Sequence, residues 1–266
     1  MPSKIFKAIF EHHHLLRNMV KRDIKTRYTG STLGILWSII NPILMLLIFT
    51  FVFSIVFKIR ISDYGKEKGF VEFLVCGFLP WIAFSEVSLR STGVIIENAN
   101  LVKKLKFPSE LFVVSTVLSS FCLQLIGFGI FILALILLRK IDSFLYLFLL
   151  PFGSILQILF TTGIGLILSC VNVFSRNVAQ IANSLFMIWL YISPVMYPLS
   201  MVPEKYKTFL ILNPMTHLLE IYRSLILRQG FPNWMGVIYV GVLAILLLWI
   251  GQSLFLRLKP VFDDYL

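Results

Sequence analysis

The chain has 266 residues, 58% of them hydrophobic and 14% charged, with a formal net charge of +11 and a mean hydropathy of +0.88. That apolar content exceeds what a soluble domain of this length needs for its core, so a water-soluble fold is excluded and much of the surface must face lipid. The positive charge does not point to nucleic acid, because most Lys and Arg flank the apolar segments, where they set orientation and meet anionic headgroups.

In chain order, the first 28 residues predict an amphipathic interfacial helix. Ile5, Phe6, Ile9, Leu16, Met19, Val20 and Ile24 fall on one face, and Lys4, Lys7, Lys21, Arg22 and Lys25 on the other. His12, His13 and His14 are consecutive and fan out by about 100° each, so they cannot converge on one metal ion. The start is charged rather than a short apolar run ending in small residues, so no cleavable signal peptide is expected.

Five stretches then run at least 27 residues without an Asp, Glu, Lys or Arg: 28–57, 111–138, 143–175, 177–203 and 229–256. About 20 apolar residues at about 1.5 Å rise cross a hydrocarbon core of about 30 Å. With a sixth, less pure segment, they predict an all-α integral membrane domain over residues 29–266. Its spans are expected at about 35–57, 73–96, 111–138, 144–171, 178–198 and 234–256. Gly30 and Gly34 have the spacing for close helix approach where the first span begins.

The sixth segment, 73–96, carries Glu86 and Arg90. Ionisable groups at membrane depth are costly and face a cavity or pair. Four apart with Glu first, these two share a helix face and can form an ion pair. Two readings stand side by side: a pair that locks this span against a neighbour, or the lining of a polar translocation path. Pro80 predicts a kink in the same span.

Residues 97–110, ENANLVKKLKFPSE, form a basic amphipathic piece ended by Pro108. Leu101, Leu105 and Phe107 beside Lys103, Lys104 and Lys106 suit a lipid-binding patch or a docking helix for a soluble partner. Further on, Pro203 and Asn213-Pro214 break the segment 198–233 into pieces at about 205–212 and 215–228, too short to span. Two re-entrant or interfacial helices are expected there, returning the chain to the side it left. With six spans the termini share a side. The seven Lys and Arg before the first span, against four in 58–69, place both termini in the cytoplasm.

Chemistry within the chain has few candidates. There is no phosphate-cradling Gly-x-x-x-x-Gly-Lys-Ser/Thr, no His-Glu-x-x-His and no Gly-x-Ser-x-Gly. Asp263 and Asp264 read as solvated charge. Cys76, Cys122 and Cys170 all lie in apolar segments and read as small hydrophobes rather than as a disulfide or metal framework. No catalytic residue, cofactor site or metal site is assigned.

Three runs together carry a resemblance: RYTGSTLGILWSIINPILMLLIFTFVF (27–53), ENANLVKKLKFPSE (97–110) and LNPMTHLLEIYRSLIL (212–227). In this order they resemble the polysaccharide-export permeases of the ABC-2 type. The resemblance implies the membrane subunit of an ATP-binding cassette exporter of O-antigen, capsular polysaccharide or teichoic acid. Such a subunit works in the bacterial inner membrane as a homodimer with two separate ATPase subunits, which hold the ATP and Mg. It further implies coupling to the ATPase through Asn98, Asn100, Leu101, Lys103, Lys104, Phe107 and Pro108. Asn213, Pro214, Glu220 and Arg223 would fall in an outer gate region, although helix capping and a local ion pair account for the same residues.

The implied substrate is a lipid-linked polysaccharide. The 25 Phe, 9 Tyr and 5 Trp offer faces on which sugar rings stack, as well as lipid-facing and interfacial belts. Rival readings are an ABC-2 exporter of a small molecule or lipid, a membrane-embedded transferase acting on a polyprenol-linked sugar, and a secondary transporter.

Overall fold

Inside a bilayer every backbone N–H and C=O must be paired within its own segment, which leaves the helix as the economical form for a charge-free run. The computed structural model describes residues 3–27, 36–56, 69–104, 108–141, 144–228 and 230–266. Every regular element among them is helical.

Four helices are long and apolar enough to cross a membrane: α4 (Phe70–Glu97), α6 (Glu110–Leu137), α7 (Leu150–Phe174, led in by a 3-10 turn from Leu145) and α11 (Trp234–Leu258). They match the expected second, third, fourth and sixth spans. The segments expected as the first and fifth spans contain shorter apolar helices. One is α3 (Trp37–Phe49), which continues as a π-helix over Thr50–Val56. The other is α8 (Asn177–Ile192), which stops short of the expected end at 198. Its stop has a local cause: Ser193 is extended (φ −83, ψ 143) ahead of Pro194, and the residue before a proline is driven out of the helical region.

The single N-terminal helix expected over 1–28 is two, α1 (Ser3–Glu11) and α2 (His13–Thr26), broken at His12 (φ −114, ψ 28). Ile5 and Leu16 are buried, in one cluster with Val94, Ile95, Phe112, Val173, Phe255 and Phe262. This segment therefore packs on the ends of α4, α6, α7 and α11. The break in 198–233 falls where proline requires it, with α9 at Glu204–Ile211 and α10 at Pro214–Arg223, continued by a π-helix over Ser224–Arg228.

α4 is the central strut, lying against α6, α7, α8 and α10. Its Phe84 ring centre is 5.5 Å from Phe160 of α7, 5.4 Å from Phe186 and 5.2 Å from Trp189 of α8, an aromatic knot worth more than its buried area because the rings meet edge to face or tilted. α7 and α11 make the closest helix pair. A Cβ on Gly163 would sit 2.6 Å from the backbone of Leu247 and Leu248, and one on Gly251 would sit 2.6 Å from the Gly163 carbonyl oxygen. Small residues let membrane helices approach to backbone contact.

Candidate functional site

The polar residues of the bundle gather in three places. The first joins α2 to α4 and α6. Arg27, just past the end of α2, reaches Glu86 of α4 at 3.0 Å and Ser120 of α6 at 2.5 Å. Asp23, one turn earlier, accepts a two-pronged contact from Arg90 at 3.2 and 2.5 Å, and a hydrogen bond from the Ser119 hydroxyl. Forked Arg–carboxylate contacts are among the stronger and better-oriented ion pairs. Glu86 and Arg90 thus each find a partner across on α2, where the sequence suggested a pair within α4. Asp23 falls within the expected amphipathic helix and Arg27 opens the 27–53 run, but no periodicity singles either out as a partner of α4.

Beside this network a cavity of about 690 Å³ opens between α3, α4 and α6. Arg27, Glu86, Ser120, Gln124 and Asn41 contribute its polar lining, and Leu79, Ile82, Leu123, Ile126, Ile130 and Phe131 supply much of its apolar wall. α3 runs antiparallel to α4 here, since Phe49 meets Phe78 at 5.3 Å and Phe53 stacks on Phe70 at 5.8 Å. The start of α3, with Trp37 and Asn41, is therefore directed toward the Glu86 end.

The second place lies between α6, α7 and α10. Gln157 donates to the Pro80 carbonyl at 2.9 Å, its side chain meets that of Gln124 at 3.2 Å, and the Tyr222 hydroxyl donates to it at 2.7 Å. These amides and the phenol are buried and satisfied, as polar groups in an apolar bundle must be. A lone Gln in an apolar run carries no pattern, and Tyr222 lies within the 212–227 run without a spacing that marks it as a partner of the two amides.

The third place is the α8–α10 corner. Asn213 caps α10, its side chain accepting from the Met215 amide and the Trp189 indole, both at 3.0 Å, and donating to the Ser193 hydroxyl at 2.9 Å. Pro214 follows in the first helical turn, where its missing N–H costs nothing. Arg223 is buried, donates to the Val195 carbonyl at 2.9 Å, and stands over the Phe73 ring at 3.6 Å. Glu220 pairs with Arg228 at 2.9 Å. The half-buried Tyr197 nearby donates to the Tyr191 and Ile192 carbonyls at 3.1 and 3.2 Å. Asn213 and Arg223 hold helices together here, while Glu220 belongs to a local pair.

The segment 97–110 begins as α5 (Ala99–Lys104). Asn98 ends α4 and starts α5 at once: its side chain donates to the Val94 carbonyl at 2.8 Å, and its own carbonyl accepts from the Leu101 and Val102 amides at 2.9 and 3.1 Å. Asn100, Leu101 and Lys103 are exposed. Pro108 leads into α6, its carbonyl accepting from the Leu111 amide at 2.9 Å. Leu105, Lys106 and Phe107, like Gly30 and Gly34, lie outside the described residues, as does the side chain of Lys104.

Over 263 residues, 98% of both chains, the protein is 27% identical to the O-antigen export system permease protein RfbA of Myxococcus xanthus. It is 30% identical over 252 residues, 95% of both chains, to an O-antigen export system permease protein RfbA of Klebsiella pneumoniae. Over 241 residues, covering 88% of this chain and 89% of the relative, it is 28% identical to the polysialic acid transport protein KpsM of Escherichia coli. Residues 14–227, which run from the first turn of α2 past the end of α10, match the family model of the ABC-2 type transporter, and the chain belongs to that family.

Proposed function

We propose that this chain is the transmembrane permease subunit of an ATP-driven exporter that moves a polyprenol-linked polysaccharide, such as O-antigen, from the cytoplasm across the inner membrane. The observation that carries the reading is the similarity to O-antigen export permeases over 95% or more of both chains. In this reading α3 and α8, with their flanking residues, complete six spans, both termini are cytoplasmic, and α9 and α10 form the re-entrant pair at the outer side. Two copies of the chain pair with two copies of a separate ATPase subunit that holds the ATP and Mg. The permease has no ATPase site of its own.

Exposed Asn100, Leu101 and Lys103 on α5, together with Asn98, Lys104, Phe107 and Pro108, form the surface the ATPase engages. Closure of the ATPase pair presses on α5 and on α1–α2. Because α2 is tied by Asp23 and Arg27 to Arg90 and Glu86, that motion reaches α4. The ATPase drives transport only in so far as it binds two arrangements of the permease with different affinity. Asn213, Pro214, Glu220 and Arg223 set the position of the outer helices.

The test is purification of the tagged chain in mild detergent from its own host, with co-purifying proteins identified and ATP hydrolysis assayed. A stoichiometric partner with a P-loop, and hydrolysis that responds to lipid-linked glycan, is expected. A chain that stays alone after crosslinking would sink the proposal.

A further inference from the structure

The cavity between α3, α4 and α6 is polar at one end and apolar along the rest. On α4 its lining runs from Glu86 back to Val75, and on α6 from Ser120 forward to Ala134. The two helices are antiparallel neighbours, so Glu86 and Ser120 mark the same end. Fourteen helical steps of about 1.5 Å make the α6 wall about 20 Å long. One leaflet of a hydrocarbon core about 30 Å thick is about 15 Å deep. The volume, about 690 Å³, falls within the about 300–1,000 Å³ of sites that enclose a single small ligand.

The polar end is specific in its charge. Arg27, with a side chain 9% exposed, and Glu86, with one 40% exposed, stand 3.0 Å apart at the lining. The opening therefore presents one cation and one anion side by side, with the Asn41 amide and the Ser120 hydroxyl beside them. An anionic head carrying only phosphate meets Arg27 but is repelled by Glu86 and Asp23. A head that joins a phosphate to a primary ammonium matches both charges, and a quaternary ammonium lacks the N–H donors that Glu86 accepts from.

We propose that this cavity is a binding site for one zwitterionic glycerophospholipid of the phosphatidylethanolamine class. Its phosphate lies at Arg27 and Ser120, its ammonium at Glu86, and one of its two acyl chains against Leu79, Ile126 and Ile130. Seated there, the lipid fills the gap between α3 and the α4–α6 pair and completes the packing of α3.

The proposal is tested by delipidating the purified full-length chain and titrating it, under native mass spectrometry, with phosphatidylethanolamine, phosphatidylglycerol and phosphatidylcholine of identical chains, and with undecaprenyl phosphate. One phosphatidylethanolamine is expected to bind about fivefold more tightly than the others, the size of one partly exposed charge contact. Glu86→Gln should bring phosphatidylethanolamine and phosphatidylglycerol to parity. Ala134→Trp, at the exposed apolar end, should lower binding of every lipid while leaving the melting temperature unchanged. Equal binding of phosphatidylglycerol, preference for undecaprenyl phosphate, no binding at all, or a preference untouched by Glu86→Gln would overturn it. So would disulfide crosslinking of Leu79→Cys to a second copy of the chain, which would show the cavity filled by protein.

Discussion

The guanidinium of Arg223 lies 3.6 Å from the centre of the Phe73 ring, and Gly77, one turn along α4 from Phe73, leaves the space it occupies. A Cβ at Gly77 would fall 2.5 Å from Nη2 of Arg223 and 3.0 Å from the Val195 carbonyl oxygen. The cation, the ring and the missing side chain form one unit that joins α10 to α4. Gly77→Leu is expected to displace Arg223 and to destabilise the protein by about 1–3 kcal/mol, the range for overpacking a filled interior. Thermal unfolding followed in detergent checks this, and an unchanged midpoint would remove Gly77 from the account.

Asp23 is the hub of the α2–α4–α6 network, meeting Arg90, Ser119 and, at 3.8 Å, Arg27. Asp23→Ala should cost about 1–3 kcal/mol, because it leaves two guanidinium groups short of an acceptor at a partly buried site. Glu86→Gln should cost less, about 0–1 kcal/mol, since its carboxylate is well exposed. The ordering of the two variants in a denaturation series is the check, and a larger loss for Glu86→Gln would contradict the network as described.

The α7–α11 contact is made by backbone on backbone at Gly163 and Gly251. Gly251→Val would drive two methyl groups at the Gly163 carbonyl and cannot be absorbed by a rotamer change. We expect loss of folded, monodisperse protein. Gly129, whose Cβ would meet nothing within 4 Å, should accept Ala without effect and serves as the control.

Reversal of charge at Lys103, which is exposed, and at Lys104 should weaken docking of the ATPase at least tenfold while changing stability by less than about 0.5 kcal/mol, as expected for surface charge. Co-purification yield against melting temperature separates the two effects. Undiminished yield would count against α5 as the docking helix.

The long helices were legible because a charge-free run of this length has one low-energy form in lipid, and the break at Asn213-Pro214 because proline and a capping Asn are local signals. The end of α8 followed an equally local signal, Pro194, which the apolar run around it concealed. Glu86 and Arg90 stood out as charges in an apolar span, yet their partners did not. Arg27 lies 59 residues from Glu86 and Asp23 lies 67 from Arg90, and only tertiary packing brings α2 against α4. The same holds for close helix approach. Gly30 and Gly34 have the recognised spacing, whereas the contact seen at Gly163 and Gly251 links residues 88 apart that share no motif.

Asn98 is at once the last cap of α4 and the first acceptor of α5, so no slack chain separates the two helices. The far half of α4 carries Phe73 and Gly77, against which Arg223 is seated. One continuous helix, α4, therefore joins the start of α5 to the α10 corner.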